Sequence, residues 1–170
     1  HGRGYFEDSN TCRVETNSGQ KFFSFDHAII ATGSEPAIPS AFDLGNKRVM
    51  SSKEALDIEE IPKSLLVVGG GYIGMELGSV YASLGSKVTL IEATNSILMG
   101  ADTDLVRPVL NKAKDNFDRL FFNTKVSQMA TKGKKINVVY KNDDGDHNEE
   151  FDKVLVSVGR APNSFNIGLE

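Results

Sequence analysis

Apolar and polar positions follow two different rhythms along the chain. Near the N-terminal end, the β-rich stretch "TCRVET" and its partner "KFFSF" flank the turn Asn17–Gly19 and predict paired strands. The apolar run Ala28–Ala31 predicts a further strand that enters the turn Thr32–Gly33–Ser34. Pro36 and Pro39 then mark a crossing segment. "SSKEALDIEEIP" reads as a short helix, with Ser51 and Glu54 at capping-box spacing and Pro62 closing it. The uninterrupted run Leu65–Val68 is of the kind buried on both faces of a parallel sheet. From Tyr72 to Leu84 the period becomes helical: Ile73, Leu77, Val80, Tyr81 and Leu84 fall on one face, and Gly85 stops the helix.

The next strand is Lys87–Glu92. "ADTDLVRPVLNKAKDNF" predicts a second long helix, capped by Asp102 or Asp104, with Leu105, Val109, Leu110 and Ala113 toward the core. Pro108 inside it predicts a kink or a later start. "RLFFNTKV" predicts a third strand, and an antiparallel meander follows: "KINVVYK", the turn "NDDGD", "EEFDK" and "VLVSVG". The middle of the chain therefore runs strand, glycine loop, helix, strand, helix, strand. That order predicts an α/β fold: a Rossmann-type βαβ unit with a parallel sheet and a β-meander.

The chemistry lies in the loop between the first of these strands and its helix. Gly69, Gly71 and Gly74 form G-x-G-x-x-G. The first glycine permits a tight turn, the second lets a pyrophosphate approach the backbone, and the third lets helix pack on strand. Free N–H groups and the positive end of the helix dipole favour phosphate there. Such a motif alone is weak evidence. The strand before it, the helix after it and the acid Glu92 at the end of the next strand, near the usual spacing of about 20 residues, reinforce it. A carboxylate there accepts hydrogen bonds from the adenosine ribose and repels a 2′-phosphate. The residues that follow, "ATNS", offer no arginine, so NAD is expected rather than NADP. Gly78, one turn beyond Gly74, predicts close packing of helix on sheet. Glu76, placed in the first helical turn, fits either a dipole-favoured surface acid or a polar group near the nicotinamide.

Bulk properties narrow the field. The chain has 170 residues and a formal charge of −4, which argues against a nucleic-acid partner. "KGKK", Lys132–Lys135, reads as a basic turn between strands. No apolar run approaches a membrane span, and the N-terminal "HGRGYFEDSN" has no signal-peptide core, so no membrane role and a bacterial cytoplasmic setting are expected. The single cysteine, Cys12, forms no intrachain disulfide. With three scattered histidines it makes no metal site.

Three stretches in register resemble one family. "VVGGGYIGMELGSVYASLGSKVTLIE" is similar to the NAD-binding segment of the dihydrolipoamide dehydrogenases, a branch of the flavin-dependent pyridine nucleotide–disulfide oxidoreductases. "AIIATGSEP" is similar to the second FAD-contacting segment of that family, and "VLVSVGRAPN" to the stretch where the chain returns from the NAD domain to the FAD domain. The resemblance implies three parts: 1–35 as a partial FAD-binding domain, 36–155 as the NAD-binding domain and 156–170 as the start of the return. It implies that Gly69, Gly70, Gly71, Tyr72, Ile73, Gly74 and Glu76 line the pyrophosphate and nicotinamide side of NAD. Glu92 would hold the ribose, Val126 would lie near the adenine, and the Gly159 backbone would lie near the dinucleotide. Gly4, Thr32, Gly33 and Ser34 match FAD contacts, while Arg160 reads as a structural hydrogen bonder. Without the resemblance, Val126 is a plain strand residue and Thr32–Ser34 a plain turn.

Met99 departs from a proline frequent in relatives, and "DNFDRL" lacks a glycine common there; both touch loops. The family's C-x-x-x-x-C redox pair and its His/Glu base have no counterpart in this sequence. The chain therefore reads as an internal piece with no catalytic residue of its own, expected to be inactive alone and to bind FAD weakly or not at all. In the intact enzyme the resemblance implies oxidation of dihydrolipoamide by NAD⁺ through FAD. It also implies a homodimer serving the 2-oxo acid dehydrogenase complexes or the glycine cleavage system. The same domain in a glutathione, mercuric or coenzyme A disulfide reductase, or in a transhydrogenase, is the alternative. A stand-alone nucleotide-binding module fits the sequence less well.

Overall fold

A computed structural model describes residues 1–169. The chain divides into two compact units, Pro36–Gly159 and a smaller one formed by His1–Glu35 with the segment from Arg160 on.

The larger unit is built on a five-stranded, all-parallel sheet. Its strands are β5 (Val49–Met50), β6 (Ser64–Val68), β7 (Lys87–Ile91), β8 (Arg119–Phe121) and β12 (Lys153–Val156), in the order β5-β12-β6-β7-β8. Helices α1 (Ser52–Asp57), α2 (Tyr72–Ser83) and α3 (Thr103–Asn116) connect them. A second, antiparallel sheet of β9 (Lys125–Lys132), β10 (Lys135–Asn142) and β11 (Gly145–Phe151) runs in the order β11-β10-β9.

Alternation along the strands explains the layering. Leu65, Val67, Val88, Leu90 and Leu155 join one buried cluster with Met75, Leu77, Tyr81, Val106 and Ala113 of the helices. Their neighbours Leu66, Val68, Ile91, Val154 and Val156 join another with Met129, Ile136, Val138, Tyr140 and Phe151 of the antiparallel strands. The run Leu65–Val68 is thus apolar throughout because helices cover one face and the meander covers the other.

Several expectations hold. Ser51 caps α1 in a full capping box: its Oγ accepts from the Lys53 N–H and Glu54 Oε2 accepts from the Ser51 N–H. Gly85, at φ +100°, ends α2, and Gly133, at φ +59°, turns β9 into β10 within the basic stretch.

Others are corrected. "RLFFNTKV" is not one strand: β8 ends at Phe121, Asn123 turns at φ +50°, and Val126 belongs to β9 in the other sheet. "VLVSVG" does not continue the meander; as β12 it lies in the centre of the parallel sheet, between β5 and β6. On α2, Val80 and Leu84 are exposed, and Gly74, Met75, Leu77, Gly78 and Tyr81 face inward. Hydrophobic periodicity gives glycine no weight, yet the helix sits on its glycine face. On α3 the buried residues are Val106 and Ala113, while Leu105 and Val109 face out. That helix begins at Thr103, so Pro108 lies inside it rather than before it; Asp102 is its N-cap without a side-chain hydrogen bond.

A polar cluster ties the two sheets together. Arg119 of β8 donates twice to Glu149 of β11, at 2.8 and 2.6 Å, and the buried Tyr140 hydroxyl donates to the same carboxylate at 2.6 Å. His147 stacks on Tyr140 at 5.0 Å between ring centroids. The Arg119 hydrogen bonds, helped by that of Tyr140, hold the Glu149 carboxyl below its ordinary value against the opposing effect of burial. Burial first, then the bond to Glu149, pushes Tyr140 up to about 12. A depressed carboxyl stabilises the fold above its unfolded value of about 4.5, and that contribution disappears as pH falls through the lower folded value. Urea titrations from pH 6 to 3 are therefore expected to show a stability decline in the unsubstituted chain that is shallower in Glu149→Gln. Equal slopes would show that this carboxylate carries no acid sensitivity.

In the smaller unit, β1 (Arg3–Asp8), β2 (Thr11–Thr16) and β3 (Gly19–Ser24) form an antiparallel sheet in sequence order. The turn at Asn17–Gly19 is present, with Gly19 at φ +116°. Cys12 is a half-buried strand residue between Phe6 and Phe23. Two short strands, β4 (Ser34–Pro36) and β13 (Arg160–Pro162), pair with each other. The run Ala28–Ala31 is not a strand: Ile29 is 94% exposed, and none of its residues joins a sheet. An apolar run becomes a strand only where a neighbouring strand takes its N–H and C=O groups, and among the described residues no sheet supplies one there.

Candidate functional site

The glycine loop leaves β6 at the carboxyl end of the parallel sheet, where ligands of open α/β sheets bind. Gly69 turns the chain at φ +102° while its N–H still bonds Ile91 O at 2.9 Å. A Cβ on Gly69 would lie 2.6 Å from the Ser157 carbonyl. Gly71 is the N-cap of α2, and no side chain caps that helix. Its first-turn N–H groups therefore have no intrahelical acceptor, and they sit at the positive end of the helix dipole. Nothing lies within 4 Å of where a Cβ on Gly71 would stand, so the approach to the backbone is open. At Gly74 the situation reverses: a Cβ there would fall 2.0 Å from the Gly69 carbonyl and 2.7 Å from Ser157 Oγ. Gly78 lets the helix meet Phe117 and Val67, where a Cβ would lie 2.9 and 3.5 Å from their side chains.

Glu92 stands just past β7. Its Oε2 accepts the Gly70 N–H at 2.6 Å, and its Oε1 accepts the Thr94 N–H and hydroxyl, each at 2.8 Å. The loop beyond it is anchored as well: the Leu98 N–H bonds Gly70 O at 2.8 Å and the Asn123 N–H bonds Thr94 O at 2.8 Å. Gly69, Gly70, Gly71, Gly74 and Glu92 are thus brought to one corner.

Tyr72 and Ile73 open α2, the first exposed and the second half-buried. Glu76 is exposed and lies beyond the first turn, which holds no acid; the expectation of a first-turn position is corrected. Val126, half-buried, follows closely on Thr124, whose N–H bonds Glu92 O at 3.0 Å. Gly159 lies two residues past Ser157, at φ +150°, and its carbonyl accepts from Ala37.

Gly4, Thr32, Gly33 and Ser34 lie in the other unit. Gly4 is an exposed residue of β1. Thr32 O and Gly33 O accept from Asn163, through its side chain at 3.1 Å and its N–H at 2.9 Å, and Arg160 donates to Ser34 Oγ at 2.7 Å. The two stretches read as separate motifs therefore hydrogen-bond to each other, and Arg160 is a structural hydrogen bonder. Among the described residues no group of three His, Cys, Asp or Glu side chains is placed to hold a metal. No described helix is long and apolar enough to cross a membrane.

Two residues that shape the corner escaped the sequence reading. Ser157 Oγ lies 3.0 Å from both Val68 O and Gly69 O, bracing the end of β6. Its only signal is a small polar residue closing an apolar strand. Thr94 shows no pattern at all; in the sequence it is only one of four residues after Glu92 that are not arginine.

The fold and this corner define the class: a Rossmann-type α/β unit carrying a glycine-rich strand-to-helix loop and an acid at the next strand end. The pyridine nucleotide-disulphide oxidoreductase family model matches residues 2–170, and the chain belongs to that family. Membership implies use of FAD and a pyridine nucleotide. The chain is 38% identical over 169 residues to a dihydrolipoyl dehydrogenase of Geobacillus stearothermophilus, covering 99% of this chain and 36% of that protein. It is also 38% identical to one of Haloferax volcanii, with the same coverage. It thus spans about a third of the length of the curated relatives it matches. Among solved structures, LpdA of Mycobacterium tuberculosis superposes with a TM-score of 0.84 at 26% identity, covering 99% of this chain and 38% of that one. The HOCl-induced flavoprotein disulfide reductase RclA of Escherichia coli, as its Cu(II) complex, gives 0.80 at 26% identity, covering 98% of this chain and 37% of that one.

Proposed function

We propose that the chain supplies the NAD(H)-binding domain of a flavin-dependent dihydrolipoamide dehydrogenase. The observation that carries this reading is the corner itself: an open approach at Gly71, an uncapped helix N-terminus and the Glu92 carboxylate beside the same loop. The first-turn N–H groups of α2 hold the pyrophosphate, Glu92 accepts a ribose hydroxyl, and the Tyr72–Glu76 turn faces the nicotinamide half. Val126 and the Gly159 backbone complete the adenine and dinucleotide contacts. Gly4, Thr32, Gly33 and Ser34 form part of an FAD site. When bound, NAD⁺ supplies the nicotinamide that accepts hydride; the residues here bind and orient it. In the whole protein the reaction is dihydrolipoamide plus NAD⁺ to lipoamide plus NADH. That protein is a cytoplasmic homodimer and serves the 2-oxo acid dehydrogenase complexes or the glycine cleavage system. This chain contributes no catalytic residue.

A second reading, the same domain in a disulfide reductase with another substrate, draws support from the likeness to RclA. Dihydrolipoamide-dependent NADH formation by the full-length parent separates the two.

Calorimetric titration of the chain with NADH and NADPH tests the domain's role. NADH is expected to bind more tightly, and Glu92→Ala to weaken it about tenfold. Equal affinity for both cofactors, unchanged by the substitution, would remove Glu92 from the site.

A further inference from the structure

Glu92 is more than a free acceptor waiting at a strand end. A carboxylate offers about four lone-pair sites, and three protein donors already point at this one. The Gly70 N–H approaches Oε2 at 2.6 Å, while the Thr94 N–H and hydroxyl approach Oε1 at 2.8 Å. The Thr94 hydroxyl has a single hydrogen, and Ser96 O also lies within its reach at 2.9 Å. The Thr94 backbone is anchored on its other side, its carbonyl accepting the Asn123 N–H at 2.8 Å. Gly70 is held on its other side too, its carbonyl bonded to the Leu98 N–H at 2.8 Å.

We infer that Thr94 is a positioning residue that sets the cofactor preference of the site. By holding Oε1 from two donors, it turns Oε2 toward Gly70 and leaves one acceptor position there for a ribose hydroxyl. The same clamp keeps the negative charge where a 2′-phosphate would arrive. Glu92 therefore performs two tasks together, shaping the glycine loop through the Gly70 N–H and selecting the ribose, and Thr94 governs both. The inference rests on the dinucleotide-binding reading of this corner.

Thr94→Val keeps the side-chain shape and the backbone donor but removes the hydroxyl; Thr94→Ser restores it. NADH and NADPH affinities and the amide hydrogen exchange of Gly70 in the cofactor-free chain are measured for the three proteins. In Thr94→Val the NADH Kd is expected to rise about fivefold and the NADPH Kd to change less than about twofold, so that the preference narrows. The Gly70 amide is expected to exchange faster, and Thr94→Ser to return both readouts to their starting values. A merely structural role would instead weaken both cofactors alike. That result, or unchanged Gly70 exchange in Thr94→Val, would overturn the assignment of Thr94. Failure of the unsubstituted chain to bind NADH, with Gly70 exchange still responding to Thr94→Val, would overturn the cofactor role and leave Thr94 as an organiser of the loop only.

Discussion

Gly74→Ala is expected to unfold the chain at a markedly lower temperature, although it adds one methyl group. That methyl would stand 2.0 Å from the Gly69 carbonyl and 2.7 Å from Ser157 Oγ. The carbonyl is backbone, on a residue whose N–H is itself bonded to Ile91, so it has no rotamer through which to yield. Relief requires α2 to lift away from β6. That movement loosens Met75, Leu77 and Tyr81 from the cluster they share with Val67 and Leu90. Overpacking of this kind costs about 3 kcal/mol or more. For a domain of this size the thermal midpoint falls by roughly 6–12 °C. Calorimetry of the two proteins checks it. A midpoint within a degree of the unsubstituted chain would show that the helix does not rest on its glycine face.

Gly71→Ala, three residues away in the same motif, is expected to do the opposite: spare the fold and weaken cofactor binding. Gly71 has φ −71° and ψ −179°, which any residue adopts, and a Cβ there meets nothing within 4 Å. The stability cost is confined to the exchange of a glycine N-cap for alanine, below about 1 kcal/mol. The open space is where a pyrophosphate would come against the uncapped N–H groups, and a methyl there holds it away from its donors. NADH affinity is expected to fall about thirtyfold, equivalent to about 2 kcal/mol. Unfolding midpoints and NADH titrations on the same samples separate the two glycines. Retained NADH affinity in Gly71→Ala would place the phosphates elsewhere.

This contrast marks how far a glycine motif can be read. G-x-G-x-x-G points to a tight turn, a close approach and a packing contact, but the spacing does not say which glycine the protein needs and which the ligand needs. Only the neighbours do: Ser157 against Gly69 and Gly74, and open space at Gly71. Ser157 reaches the loop from just past the end of β12, far along the chain, and nothing local announces it.

Several features were plain in the sequence, because each is a contiguous stretch whose chemistry is local. The capping box at Ser51 and Glu54, the order of strand, glycine loop and helix, and the acid at Glu92 are of that kind. So is the all-apolar run Leu65–Val68, since burial on both faces leaves no polar alternation. What required the tertiary structure was everything set by a partner distant in sequence. Ala28–Ala31 carries strand-forming residues but meets no strand, and Val154–Val156 looks like the end of a meander but fills the middle of the parallel sheet. Val80 and Leu84 fit a helical stripe, yet α2 turns its small residues to the sheet because closeness of approach outweighs their own burial. Thr94 is the last of these: an ordinary polar residue by sequence, given its role only by the carboxylate and carbonyls that the fold places around it.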